Sequence, residues 1–142
     1  MKIVVAADHG GFELKEQVKA ALVAGGEEVV DIGCFSSESV DYPDFAEKAV
    51  SLILQNECQM GILICGTGIG MSIAANRYRA IRAANCSNVH TAQLSREHNN
   101  ANVLCLGARV LEAEVAIEMV RVWLHTAFSG GRHQRRISKV SD

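Results

Sequence analysis

A thiol and three glycines within six residues, Cys65-Gly66-Thr67-Gly68-Ile69-Gly70, form the stretch of this sequence best suited to chemistry. The apolar run Gly61-Ile62-Leu63-Ile64 precedes it, and the small-residue helical pattern Ser72-Ile73-Ala74-Ala75 follows. A strand end, a bare-backbone turn and a helix start together surround a point with amide N–H groups. Glycine admits close approach there, and the first turn of a helix carries unpaired donors and partial positive charge. A cysteine at the mouth of such a loop adds a group able to take up and return a proton, and helix-start amides favour the thiolate this requires. The glycines alone serve equally well as a tight strand-to-helix turn over a buried thiol; Cys65 and Thr67 together favour a functional loop. It is not a nucleotide-type phosphate loop, because no Lys-Ser/Thr follows the last glycine, and its spacing is not the dinucleotide fingerprint. A cysteine phosphatase would close the loop with arginine, where this chain has Met71 and Ser72.

Other polar residues accompany it. Asp8-His9-Gly10-Gly11 reads either as a capped turn or as an imidazole able to bind phosphate or exchange a proton near neutral pH. His98-Asn99-Asn100 carries the same two readings, since asparagines favour turns. Arg132 and Arg136 are four apart, so a helical turn sets both on one face as a phosphate clamp; a solvated basic tail from about residue 130 is the plainer account. His90, His125 and His133 have less to recommend them, and Cys105 reads as an inert core thiol.

The elements that must carry these groups alternate. Ile3–Ala7 reads as a buried strand, and Leu14, Val18, Ala21 and Leu22 as one face of a helix that Gly25-Gly26 end. Val29–Ile32 is a second strand, Gly33–Val40 a polar loop, and Asp41-Tyr42-Pro43-Asp44 a helix start with a capping aspartate. Phe45, Ala49, Leu52 and Ile53 continue that helix; after strand Gly61–Ile64 another runs to about Arg77. Strand Ala80–Ala84, helix His90–Glu97, strand Val103–Leu106 and a long helix marked by Val115, Met119, Val122 and Trp123 complete the pattern. The alternation predicts an α/β fold: one Rossmann-like three-layer domain over residues 1–142, with a five-stranded parallel sheet covered on both faces. In such sheets ligands bind past the carboxyl ends of the strands, which is where Asp8, Cys65, Arg109 and, on this reading, His98-Asn99 collect.

Bulk properties narrow the function. With 142 residues, 49% hydrophobic, 21% charged and a net charge of −2, the chain advertises neither a nucleic-acid nor a membrane surface. Five cysteines without a C-x-x-C pair indicate no zinc site or disulfide framework, and free thiols suit a reducing cytoplasm. The N-terminal apolar run is too short for a signal peptide.

The segments Asp8-His9-Gly10-Gly11, Asp41-Tyr42-Pro43, Cys65 through Asn76, Ser95-Arg96-Glu97-His98-Asn99 and Gly130 through Arg136 closely resemble the type B ribose-5-phosphate isomerases, a family that includes galactose-6-phosphate isomerase subunits. The resemblance covers nearly the whole chain in order. It implies an aldose–ketose isomerase needing no metal or cofactor, acting on ribose 5-phosphate and ribulose 5-phosphate, usually as a homodimer or dimer of dimers with a site shared between subunits. Carried over by position, Cys65 is the base moving a proton between C2 and C1, Thr67 assists it, and His98 helps open the sugar ring. Asp8, His9, Gly66, Thr67, Gly68, Ile69, Gly70, Asn99, Arg109, Arg132 and Arg136 then bind substrate. An isomerase of a six-carbon sugar phosphate, such as allose 6-phosphate or galactose 6-phosphate, is the nearest alternative; a noncatalytic sugar-phosphate-binding subunit is the more distant one.

Overall fold

Five branched, apolar segments pair into one parallel sheet in a computed structural model that describes residues 1–141; Asp142, the expected end of the domain, lies outside the described residues. In chain order the elements are β1 (Lys2–Ala7), α1 (Phe12–Ala24), β2 (Glu28–Asp31), α2 (Tyr42–Leu54), β3 (Met60–Cys65), α3 (Ile69–Ala75), β4 (Ala83–Asn85), α4 (Val89–Glu97), β5 (Val103–Gly107), α5 (Ala113–Leu124) and α6 (Arg132–Ser141). The strands lie in the order β2-β1-β3-β5-β4.

Alternation along the strands sorts the core into two layers. Ile3, Val5, Ala7, Ile62, Ile64, Leu104 and Leu106 face α1, α4 and α5, which supply Leu14, Val18, Ala92, Met119 and Trp123. Val4, Ala6, Leu63, Cys65, Val103 and Cys105 face α2 and α3, which supply Ala46, Ala49, Val50, Met71 and Ala75. The predicted Rossmann-like three-layer α/β architecture is therefore present. Burying both faces of β1, β3 and β5 leaves their side chains almost wholly inaccessible, as their unbroken apolar runs require.

Several local expectations shift. Met119 and Trp123 lie in the α5 core stripe as expected, but Ala116 and Val120 complete it in place of Val115 and Val122, and Val115 is exposed. Asp41 sits at the N-cap of α2 but its side chain caps nothing. The fourth strand is shorter than expected, and α3 stops at Ala75, with the Asn76 side chain turned to both the N–H and the carbonyl of Ala83. The basic tail is a helix, α6, entered through Gly130 and Gly131, both at positive φ. Among the described residues no helix is long and apolar enough to cross a membrane.

Candidate active site

The strand order reverses between β1 and β3, because α1 carries the chain one way along the sheet and α2 carries it back past β1. A crevice opens past the carboxyl ends of two strands at such a point. Asp8 and His9 leave β1 there, and the glycine loop leaves β3. Cys65, the last residue of β3, is buried, and its Sγ accepts the N–H of Gly68 at 3.2 Å. Gly68 makes this turn at φ +84, and Thr67 Oγ1 accepts the Ile69 N–H at 3.2 Å. Those two amides are engaged, whereas the Gly70 and Met71 N–H groups in the first turn of α3 have no intrahelical partner. Ile69 contributes backbone only; its side chain is exposed.

Four further contacts complete this group. Asp8 Oδ1 accepts the N–H groups of Gly10 at 2.9 Å and Gly11 at 3.2 Å, leaving its second oxygen for a ligand. A Cβ on Gly66 would lie 3.1 Å from Arg109 Nη1, and one on Gly10 would lie 3.4 Å from Nη2, so the guanidinium spans the two turns. The Ala108 and Arg109 amides bond the carbonyls of Cys65 and Gly66, both at 2.9 Å, tying the end of β5 to the loop. The Tyr42 ring covers Gly70 so closely that a Cβ there would sit 2.7 Å from it.

The loop Gly33–Val40 positions His9. Lys15, with no solvent exposure, meets Asp31 at 2.6 Å; Asp31 accepts the Gly33 N–H at 2.9 Å, and Gly33 and Cys34 bond the backbone of Ala7. At the other end of the loop, the Val40 N–H donates to His9 Nδ1 at 3.2 Å, so in the neutral ring Nε2 carries the proton and points as a donor. Burial raises the Asp31 carboxyl, but the bonds from Lys15, Gly33 and Lys19 outweigh it and hold the group below its ordinary range. Burial pushes the Cys58 and Cys86 thiols up, and Cys105 well up, which keeps these sulfurs protonated.

His98 and Asn99 are not at this end of the sheet, contrary to the expectation that they join Asp8 and Cys65. α4 runs antiparallel to the strands it connects, so its C-cap, His98, lies beside the start of β5, where Asn102 bonds Gly61 and Arg82. The length of a six-residue strand, roughly 17 Å at 3.3 Å per residue, separates this edge from Cys65. Gathered here instead are His98, Asn99, His133 and Arg136, lining a cleft of about 290 Å³. Arg132 opens the same helix one turn before Arg136. One chain thus holds two polar clusters at opposite edges: thiol, amide loop, Asp8, His9 and Arg109 at one, imidazoles and arginines at the other.

A family model described as Ribose/Galactose Isomerase matches residues 3–140, carrying both clusters. This chain belongs to the ribose/galactose isomerase family. Ribose-5-phosphate isomerase B of Escherichia coli is 48% identical over 140 residues, 99% of this chain and 94% of that protein. The crystal structure of a ribose 5-phosphate isomerase from Thermotoga maritima is 58% identical with a TM-score of 0.97, covering 99% of this chain and 97% of that one. Ribose-5-phosphate isomerase B of Mycoplasma genitalium, a structure with bound ribulose-5-phosphate, is 42% identical with a TM-score of 0.94, covering 98% and 93%.

Three contacts in this isomerase-family chain are not legible from local sequence. Tyr42 looked like an ordinary first-turn helical residue, and only the packing of α2 on α3 turns its ring onto Gly70. Asn85, at the end of β4, places its Oδ1 against the position a Gly68 Cβ would take. His133 stacks on His98, with ring centroids 4.3 Å apart and planes 11° from parallel. No local pattern announces any of these contacts, since each joins residues distant in sequence.

Proposed function

We propose that this chain is an aldose–ketose isomerase interconverting D-ribose 5-phosphate and D-ribulose 5-phosphate by proton transfer through an enediolate. The observation that carries this reading is the Cys65 thiol held under the Gly68 amide at the mouth of the glycine loop, in a chain related over its full length to ribose-5-phosphate isomerases B. His98 takes the proton of the C1 hydroxyl and delivers it to the ring oxygen as the C1–O4 bond breaks, giving the open aldehyde. Cys65, as thiolate, removes the C2 proton, and the electron pair moves to O1. The loop amides hold that developing oxyanion, each such donor contributing typically about 3 kcal/mol in the transition state. The thiol returns the proton to C1, while the O2 proton passes to O1, leaving the ketone. Arg109, Arg132, Arg136 and His9 hold the remote phosphate, which supplies orientation to the reacting carbons.

The separation of the clusters by the length of the sheet supports a working unit of at least two copies, a homodimer or dimer of dimers. Cys65 and the loop of one copy then face His98, Asn99, Arg132 and Arg136 of another. A six-carbon sugar phosphate is the competing substrate, favoured by the breadth of the matched family. Turnover of the purified chain on five- and six-carbon aldose phosphates decides between them; preference for a six-carbon substrate overturns the ribose reading. Co-expression of Cys65→Ala with His98→Asn tests the sharing. Random pairing leaves one intact site in half of the dimers, so about one quarter of parental activity returns. A site built within one chain recovers none.

A further inference from the structure

Within the described residues of one chain, His98 has no hydrogen-bonded orienting partner of the kind catalytic imidazoles ordinarily have. Such a ring is usually held in plane and tautomer by a hydrogen bond to a carboxylate or carbonyl. Among the described residues no group of the chain hydrogen-bonds the His98 ring, which is exposed at the end of α4. The His133 ring lies parallel against it, with centroids 4.3 Å apart and planes 11° from parallel. Resting on the reading that His98 opens the sugar ring, we propose that His133 is its positioning residue, fixing the plane of the His98 imidazole by stacking.

The fold spends several features on bringing His133 there. The Ser129 N–H bonds the Glu97 carbonyl at 3.0 Å, pinning the returning chain beside the end of α4. Gly130 and Gly131 then reverse it at φ +68 and +58, with nothing near the position of a Cβ at either. Such conformations disfavour L side chains, so the double turn is a backbone requirement and not a packing one. The His133 N–H bonds back to the Gly130 carbonyl at 3.1 Å, so the ring leaves the first turn of α6 directly under His98.

The charges around the pair suit one shuttling proton. Partial burial, then the positive neighbours His98, Arg132 and Arg136, push His133 below the ordinary histidine range. Glu97, the nearest carboxylate in sequence, is engaged by Gln93 at 2.9 Å. That direction favours the neutral form of His133, while on the proposed reading His98 moves the proton from the C1 hydroxyl to the ring oxygen. A neutral aromatic face orients the working imidazole without competing for its proton or its nitrogens.

The test compares two substrates. Ribose 5-phosphate must be opened. A four-carbon aldose 4-phosphate cannot close a five-membered ring, because the oxygen needed is phosphorylated. His133→Ala is expected to lower kcat on ribose 5-phosphate by about tenfold to a hundredfold, part of what general acid–base catalysis supplies, with the four-carbon activity nearly unchanged. His133→Phe keeps a stacking face and is expected to restore kcat to within a few-fold of the parent. His98→Asn is run beside them. If it loses both substrates equally, the ring-opening role of His98 fails, and this proposal with it. If His98→Asn is selective but His133→Ala matches the parent, the positioning role alone is overturned. A rise in KM on both substrates with kcat intact, unrescued by phenylalanine, assigns His133 to the placement of α6 and likewise overturns it.

Discussion

Replacing Gly68 by alanine probes how tightly the glycine loop is held over the thiol. Gly68 sits at φ +84, where a residue with a Cβ loses about 1–2 kcal/mol relative to glycine. The new Cβ would also lie 3.0 Å from the Leu106 carbonyl carbon and 3.2 Å from the Leu106 nitrogen. Asn85, also in its way, is exposed and can swing aside, but the backbone of β5 lies in the middle of the sheet and cannot. Relieving that contact adds about 1–2 kcal/mol, within the range for overpacking, and brings the total to about 2–4 kcal/mol. Gly26→Ala separates the two costs: it has φ +86 and nothing within 4 Å, so only the first applies. Urea unfolding of both variants should show Gly68→Ala less stable than Gly26→Ala by about the overpacking cost. The same retreat of the loop stretches the Gly68 N–H from Cys65 Sγ and moves the amides off the oxyanion. Turnover should therefore fall about tenfold to a hundredfold in Gly68→Ala and stay at the parental level in Gly26→Ala. Equal unfolding midpoints for the two variants, with full turnover in Gly68→Ala, would refute the argument that β5 clamps the loop.

Cys65→Ala should retain binding of the sugar phosphate but lose isomerisation by orders of magnitude, read by titration calorimetry beside turnover; near-parental turnover removes the base. Arg136→Ala should chiefly raise KM if, as proposed, its guanidinium holds the phosphate, remote from the reacting carbons. Lys15→Met removes the buried member of its ion pair with Asp31 but leaves Asp31 bonded to Lys19 and Gly33, so it should cost about 2–3 kcal/mol, below the usual range for orphaning a buried charge. Asp31 is held below its ordinary range, so its stabilisation is complete above the unfolded value near about 3.9 and is lost as pH falls through the lower folded value. Asp31→Asn should accordingly flatten the acid limb of a stability–pH curve, and an unchanged limb would show the pair to be unimportant there.

Much of the first cluster was legible because its geometry is local. A residue that directly follows a parallel strand lies at the carboxyl edge whatever the strand order, so Asp8, His9, Cys65 and the loop through Gly70 had to share that edge. The Gly68 turn was equally local, its conformation following from residue type. Arg109 could be placed at the edge but not aimed: its reach across Gly10 and Gly66 depends on β5 lying beside β3. His98 does not follow a strand, and a crossover helix returns its last residue to the edge opposite the strand ends. His133 was discounted because stacking on His98 requires a reversal through Gly130 and Gly131 whose direction no periodicity encodes.

The sequence by itself determined the order of strands and helices up to the basic tail, that the sheet is parallel and buried, and that a thiol precedes a glycine loop. Those are consequences of side-chain periodicity and of glycine's access to positive φ, which act over a few residues. Only the tertiary structure decided the strand order β2-β1-β3-β5-β4, the guanidinium bridging two turns, and the division of the polar groups between two edges. These depend on contacts between residues far apart in the chain, where packing of whole layers selects one arrangement that short-range preferences leave undetermined.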